Sequence, residues 1–165
     1  DLHSFPTRRS SDLCHCVEFV EGQKCWGVKD VDVYMPAATQ NDVNMEWAKK
    51  IAESGVPYYI EVGNMPTTND ALAFLMSQKH LTVAPSKAVN ACGVSVSELE
   101  MAQNAQRIYW TAEEVDAKME AIMKNIYDAS VEAAERYGLG YNLVAGANIA
   151  GFQKVADAMM AQGIF

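Results

Sequence analysis

Val83-Ala-Pro-Ser-Lys-Ala-Val-Asn-Ala-Cys-Gly-Val-Ser-Val-Ser-Glu-Leu-Glu100 decides how the rest of the chain is read. A short apolar run stops at Pro85, small and polar residues follow, and helical spacing resumes after Gly93. A segment this rich in small residues, between a strand end and a helix start, lets a ligand approach the backbone closely. In an open parallel sheet the carboxyl ends of the strands are where ligands bind. Residues 86–97 are therefore expected to form a loop at a ligand-binding edge.

The same pattern occurs twice upstream. Val31-Asp-Val-Tyr-Met35 is β-rich and closed by Pro36, a strand ending in a turn. Ala37-Ala-Thr-Gln-Asn41 is a small polar loop. A helix over 45–54 follows, with Trp47, Ala48, Ile51 and Ala52 on one side and Gly55 as its stop. Pro57-Tyr-Tyr-Ile-Glu-Val62 reads as a second strand and Gly63-Asn-Met-Pro-Thr-Thr68 as a second loop. Thr67 or Thr68 caps the next helix, which runs to about Lys79 and buries Leu72, Leu75 and Met76. Leu81-Thr-Val-Ala84 is the third strand. Strand starts recur about every 25 residues with helices between, which implies βαβ units and a parallel sheet. Right-handed crossovers put all three strand-to-helix loops on one edge, so residues 38–41, 63–68 and 86–97 are expected to line one crevice.

Downstream the pattern is helical. Residues 97–110 carry Leu99, Ala102 and Ile108 at helical spacing. Thr111-Ala-Glu-Glu114 is a capping box that opens a long helix to Tyr137, with Val115, Met119, Ile122, Met123, Ile126 and Ala133 along one face. Glu120 and Lys124 form a favourable i,i+4 pair on the other face. Gly138 and Gly140 end this helix. A last helix over about 150–162 exposes Lys154 and Asp157 between Phe152, Val155 and Met159. Residues 1–13 have clustered Ser and Arg and no period, so residues 1–16 are set aside as a disordered or non-native leader and the domain runs over 17–165.

Composition narrows the function classes. The formal net charge is −8 and no basic stripe exists, which argues against a nucleic-acid partner. No apolar run reaches the ~18 residues of a membrane span, and no signal-peptide core is visible. Four cysteines without paired CxxC spacing suit a reducing, cytoplasmic compartment. Cys14-His15-Cys16 lacks the ligand spacing of a zinc site, and no metal is expected. The nine methionines fall mostly at helical steps and read as core filling.

Among candidate sites, Gly138-Leu-Gly-Tyr-Asn is a helix stop: it follows a helix and lacks a third glycine, so nothing aims it at a pyrophosphate. No other dinucleotide fingerprint occurs. Three strand-to-helix units without the phosphate turn are either the second half of a dinucleotide fold or an unrelated α/β domain. Lys87 is either an anion contact or a solvated surface lysine. Ser97 either caps a helix with Glu100 or offers a hydroxyl to a carboxylate. Asn64 and Asn90 recur at strand ends, where an amide suits a sugar hydroxyl or a carboxamide, although Asn also serves turns. No Ser–His–Asp order is present, and His80 precedes the third strand, at the opposite edge.

Pro36-Ala-Ala-Thr-Gln-Asn41, Asn64-Met-Pro-Thr-Thr68, Ala84-Pro-Ser-Lys-Ala-Val-Asn-Ala-Cys-Gly-Val94, Glu100-Met-Ala-Gln-Asn104 and Asn142-Leu-Val-Ala-Gly-Ala-Asn-Ile-Ala-Gly-Phe152 stand in the order seen in a known family. From about Val17 onward the chain resembles bacterial-type hexameric glutamate dehydrogenase, of the Glu/Leu/Phe/Val dehydrogenases. The resemblance implies an α/β fold, the second half of a Rossmann-like parallel sheet followed by C-terminal helices. It further implies NADP or NAD as cofactor, the NADP type favoured, and reversible oxidative deamination of L-glutamate to 2-oxoglutarate and ammonia in a homohexamer. Ala38, Thr39 and Gln40 would stand beside the dinucleotide, Asn64 at the nicotinamide ribose, and Asn90 between nicotinamide and substrate. Val94 and Ser97 would line the glutamate side-chain pocket, the Ser97 hydroxyl on the distal carboxylate.

The same resemblance places the catalytic lysine and aspartate, the phosphate turn and the coenzyme-selecting position upstream. No catalytic residue is therefore assigned here, and the isolated chain is expected to be inactive. Cys92 and Glu98 stand at usual glycines, Gly63 at a usual alanine and Ala37 at a usual cysteine. One extra residue falls between Trp26 and Val33. Two alternatives are a non-catalytic α/β module and a sister dehydrogenase for branched-chain or aromatic amino acids.

Overall fold

Residues 22–163 are described by a computed structural model. The leader expected over 1–16 and the Cys14-His15-Cys16 triplet lie outside the described residues. Strands β1 (Val33–Tyr34), β2 (Tyr58–Ile60) and β3 (Thr82–Ala84) form a parallel sheet in the order β1-β2-β3. Val33 stands opposite Tyr58, and Tyr58 opposite Thr82. The α/β class and the parallel sheet are as expected, with shorter strands.

Helices α1 (Met45–Ser54) and α2 (Asn69–Met76) are the crossovers. The α1 bounds follow from its ends. The Asn44 side chain accepts from Trp47 N, and Gly55 takes a left-handed φ of 78° that closes the helix. Its inner face buries Ala48 and Ile51, with Trp47 and Ala52 half-buried. Helix α2 stops at Met76, short of Lys79. The Ser77 hydroxyl (2.6 Å) and the Gln78 amide (3.1 Å) both take the Phe74 carbonyl, which a continuing turn would need. Met76 is consequently 37% exposed instead of buried, whereas Leu75 is fully buried. Thr68 occupies the N-cap position, but its hydroxyl makes no capping bond.

The core lies between the sheet and these crossovers: Val43, Ala48, Ile51, Val56, Tyr59, Ala71 and Leu75 are buried, joined by Tyr34, Leu81 and Val83. Trp26 meets Tyr34 edge to face with ring centroids 5.7 Å apart.

The segment 86–97 is not the expected loop. It forms α3 (Ser86–Val89) and then α4 (Ala91–Gln106), broken only at Asn90. Ala, Cys, Val and Ser are all compatible with a helix, and Gly93 alone costs only about 1 kcal/mol there. Small residues permit a loose loop but do not require one, and here the short side chains form helix. Helix α4 closes at Arg107, whose left-handed φ of 56° ends it before Ile108 and Trp110.

The capping box at Thr111 opens α5 (Ala112–Arg136): Thr111 N donates to Glu114 Oε2 at 2.7 Å, and Glu114 N to Thr111 Oγ1 at 3.2 Å. Lys124 pairs with Asp128 at 2.5 Å, not with Glu120. Helix α6 (Leu143–Gln162) begins well before residue 150, because the Asn142 side chain accepts from Ala145 N at 3.0 Å and starts the helix there. At its crossing with α5, Gly146 lies against the Ser130 carbonyl; a Cβ on Gly146 would stand 1.9 Å from that oxygen. Beyond the crossing, Phe152, Val155 and Met159 are exposed.

Candidate functional site at the carboxyl edge of the sheet

Parallel strands joined by helical crossovers bring three chain segments to one edge. The first two are sewn together by backbone bonds. Asn41 N donates to Met65 O at 3.0 Å, Val43 N to Pro66 O at 2.9 Å, and Gly63 N to Pro36 O at 2.9 Å. Holding this seam requires left-handed backbone at two non-glycine residues, Asn41 (φ 57°) and Met65 (φ 45°). Pro36 and Pro66 are fully buried beneath it. Ala38, Thr39 and Gln40 lie exposed on the rim of this first segment.

The third segment joins through side chains. Asn90 Nδ2 donates to Asn64 Oδ1 at 2.6 Å, uniting the ends of β2 and β3. Each amide has a second polar atom, so Asn64 Nδ2 still offers donors and Asn90 Oδ1 an acceptor. The pair that recurs at strand ends in the sequence is one feature in space.

Below it, Glu61 is only 3% exposed, and its Oε2 accepts from Ser86 N at 3.3 Å. Tyr59 and Thr67 share a hydroxyl hydrogen bond at 2.7 Å, and burial pushes the Tyr59 phenol well above its ordinary range. Lys87 is exposed but not merely solvated: its Nζ donates to Asn148 Oδ1, tying α3 to α6.

Asn90, Val94 and Ser97 fall at i, i+4 and i+7, hence on one face of α4. Ser97 does not cap a helix with Glu100. It sits inside α4, where its hydroxyl donates back to Gly93 O at 3.3 Å. Val94 and Ser97 are both exposed. Cys92 is helical, so its position needs no glycine freedom, and Glu98 is exposed. A Cβ on Gly63 would meet Ala37 and Pro36 atoms at 3.5 Å, ordinary contact, so the alanine usual at that position fits this backbone.

Sequence reasoning missed Glu61. The signal was available: a carboxylate between Ile60 and Val62, in the run read as the second strand, needs a partner wherever that strand is buried. Among the described residues no group of His, Cys, Asp and Glu could hold a metal, and no helix is long and apolar enough to cross a membrane. The edge therefore offers amides, backbone and a seryl hydroxyl, a set suited to recognising polar groups on a ligand.

A sequence model of the family described as Glutamate/Leucine/Phenylalanine/Valine dehydrogenase matches residues 4–163. The chain belongs to this family. Within it, the chain is 68% identical over 148 residues to a NAD-specific glutamate dehydrogenase of Clostridium symbiosum, covering 90% of this chain and 33% of that protein. It is 49% identical over 146 residues to a NADP-specific glutamate dehydrogenase of Escherichia coli, covering 88% and 32%. A solved glutamate dehydrogenase superposes with a TM-score of 0.86 at 67% identity, over 89% of this chain and 32% of that one. A hetero-hexameric glutamate dehydrogenase of Thermus thermophilus, in a Leu-bound form, gives 0.76 at 25% identity over 85% and 32%. The chain spans about a third of the length of the curated relatives it matches.

Proposed function

We propose that the chain is the later part of the nucleotide-binding domain of a glutamate dehydrogenase. In this reading it supplies the nicotinamide and substrate contacts for the reversible oxidative deamination of L-glutamate to 2-oxoglutarate and ammonia. The observation that carries this reading is the Asn90–Asn64 amide pair across the ends of β2 and β3, in a chain whose relatives are named glutamate dehydrogenases.

The residues present fit one end of a dinucleotide. Asn64 retains donors for a ribose hydroxyl, and Asn90 retains an acceptor for a carboxamide. Ala38, Thr39 and Gln40 edge the same rim. Val94 and Ser97 continue from Asn90 along one helix face, with the hydroxyl placed for a side-chain carboxylate. The Ser97 hydroxyl can turn from Gly93 O to a side-chain carboxylate, which favours glutamate over the aliphatic and aromatic substrates of sister enzymes. No glycine-rich turn is present for the pyrophosphate. When bound, a nicotinamide coenzyme supplies hydride acceptance; this chain's part is to hold and orient the reacting groups. NADP and NAD both remain in scope, since relatives of each specificity match. The whole enzyme is read as a cytoplasmic homohexamer, with its catalytic lysine and aspartate outside these residues.

Two measurements test the reading. Titrating NAD or NADP into the chain is expected to shift the side-chain amide signals of Asn64 and Asn90, with weak affinity; a Kd of about 1 mM corresponds to only ~4 kcal/mol. Asn64→Ala should weaken binding by about 1 kcal/mol, the loss of one hydrogen-bonding amide. No response at either asparagine at high coenzyme concentration would leave only an α/β module without binding. Glutamate-dependent coenzyme reduction by the chain alone is expected to be absent, and its appearance would overturn the assignment of proton transfer to residues elsewhere.

A further inference from the structure

Among the described residues, Glu61 is the one buried carboxylate at this edge, and the proposed function does not use it. A carboxylate in a nearly closed environment is costly unless it is hydrogen-bonded. It is not needed to pair the strands, because the Glu61 backbone N–H already donates to Ala84 O at 3.0 Å. Its side chain instead reaches the first residue of α3, Ser86, whose N–H it accepts at 3.3 Å. From Ser86 the connections run on without a gap. Asn90 N donates to Ser86 O at 2.9 Å, and Asn90 Nδ2 donates to Asn64 Oδ1 at 2.6 Å. Asn64 lies three residues after Glu61 in the chain, so the circuit closes on itself. The single turn of α3 is thereby held at one end by Glu61 and at the other by Asn64.

We infer that Glu61 is a positioning residue: its buried carboxylate fixes the start of α3 so that Asn90, at the end of the same turn, presents its amide to Asn64 and to the nicotinamide end of the coenzyme. The inference rests on the proposed function only for the ligand. The ordering of Asn90 is a property of the chain without it. A four-residue helix has too few internal hydrogen bonds to hold its own geometry, so an external anchor decides where the residue that closes it, Asn90, points.

The test uses the full chain, with the Asn90 side-chain amide signal as readout before any coenzyme is added, and coenzyme titration afterwards. Glu61→Gln keeps an acceptor oxygen in place and is expected to keep the Asn90 signal near its original position, with affinity within about twofold. Glu61→Ala removes the acceptor and is expected to move and broaden that signal and to weaken coenzyme binding ~tenfold, as for an N–H left without its acceptor. Ser86→Pro guards against a Glu61→Ala chain that fails to fold. It deletes the N–H donor from the other side of the bond at the first helical position, where proline is tolerated. The residue before it, Pro85, already has the extended ψ of 145° that a following proline requires. Ser86→Pro is expected to move the Asn90 signal as Glu61→Ala does. An unmoved Asn90 signal in Ser86→Pro, or a Glu61→Gln chain as perturbed as Glu61→Ala, overturns the inference. If the unaltered chain shows no coenzyme response, the proposed function fails while the Asn90 signal still decides the role of Glu61.

Discussion

Tyr141 and Tyr127 share one hydrogen bond, with 2.8 Å between their phenolic oxygens. That bond, with some burial, leaves the Tyr141 phenol pushed up to about 12 from its ordinary 10.0. The sign follows from linkage. Below pH 10 the folded and unfolded chains both keep this proton, so the pair's contribution is fully present. Between about pH 10 and 12 the unfolded chain ionises first and that stability is lost. Tyr141 is 56% exposed, so solvent screens the effect and its size is small. Tyr141→Phe is expected to flatten the alkaline fall in denaturation midpoint, and Tyr127→Phe to bring phenolate absorbance of Tyr141 to lower pH. At this same scale the asparagines of the crevice are legible in the sequence, because each follows a strand whose end is punctuated by glycine or proline. Ser97 is not. Ser-x-x-Glu looks the same at a helix start and inside a helix, and where α4 starts is decided by Asn90, seven residues earlier. Glu61 was hidden by its neighbours, since a single acid in a β-rich run is absorbed into the strand.

Two glycines of α6 have opposite meanings. Gly146 is the point where α6 touches α5; a Cβ there would stand 1.9 Å from Ser130 O and 3.2 Å from Ala134 Cβ. Gly151 has open space where its Cβ would be. Gly146→Ala is expected to lower stability by about 1–3 kcal/mol as the helices are forced apart, more than the gain in helix propensity returns. Gly151→Ala is expected to raise it by up to ~1 kcal/mol. Urea denaturation midpoints of the two variants should move in opposite directions, and equal movement would remove the packing argument. The sequence reading starts this helix at about residue 150, whereas it already contains Gly146, which lets two backbones meet. The capping box of α5 and the Gly55 stop of α1 are legible because each end is set by residues adjacent in sequence. Partners four residues apart are less determinate: Lys124 has an acid on either side and takes Asp128.

Over the whole molecule, the strand–helix rhythm and the parallel sheet follow from spacing, since helical connections of this length are the ones that join neighbouring parallel strands. The covering of the outer surfaces does not follow, because periodicity marks a face as apolar without saying what lies against it. On α6, Phe152 is 71% exposed, with Val155, Met159 and Met160 also open. An apolar dye is expected to bind there, and Phe152→Glu to reduce that fluorescence without lowering the thermal midpoint, because no core contact is lost. The seam at Asn41 and Met65 has a different consequence. Left-handed backbone costs about 1–2 kcal/mol at Met65 and less at Asn41, since asparagine tolerates that conformation. Met65→Gly would release that strain, offset by the ~0.4–1 kcal/mol that a more mobile unfolded chain gains. The variant should therefore unfold at slightly higher urea. With the rim freed to sample other shapes, a ligand would have to order it on arrival, at an entropic penalty the present chain has already met during folding. Calorimetry of coenzyme binding to Met65→Gly should show weaker affinity with a less favourable entropy, so that tolerance to denaturant and readiness to bind move in opposite senses in a single substitution.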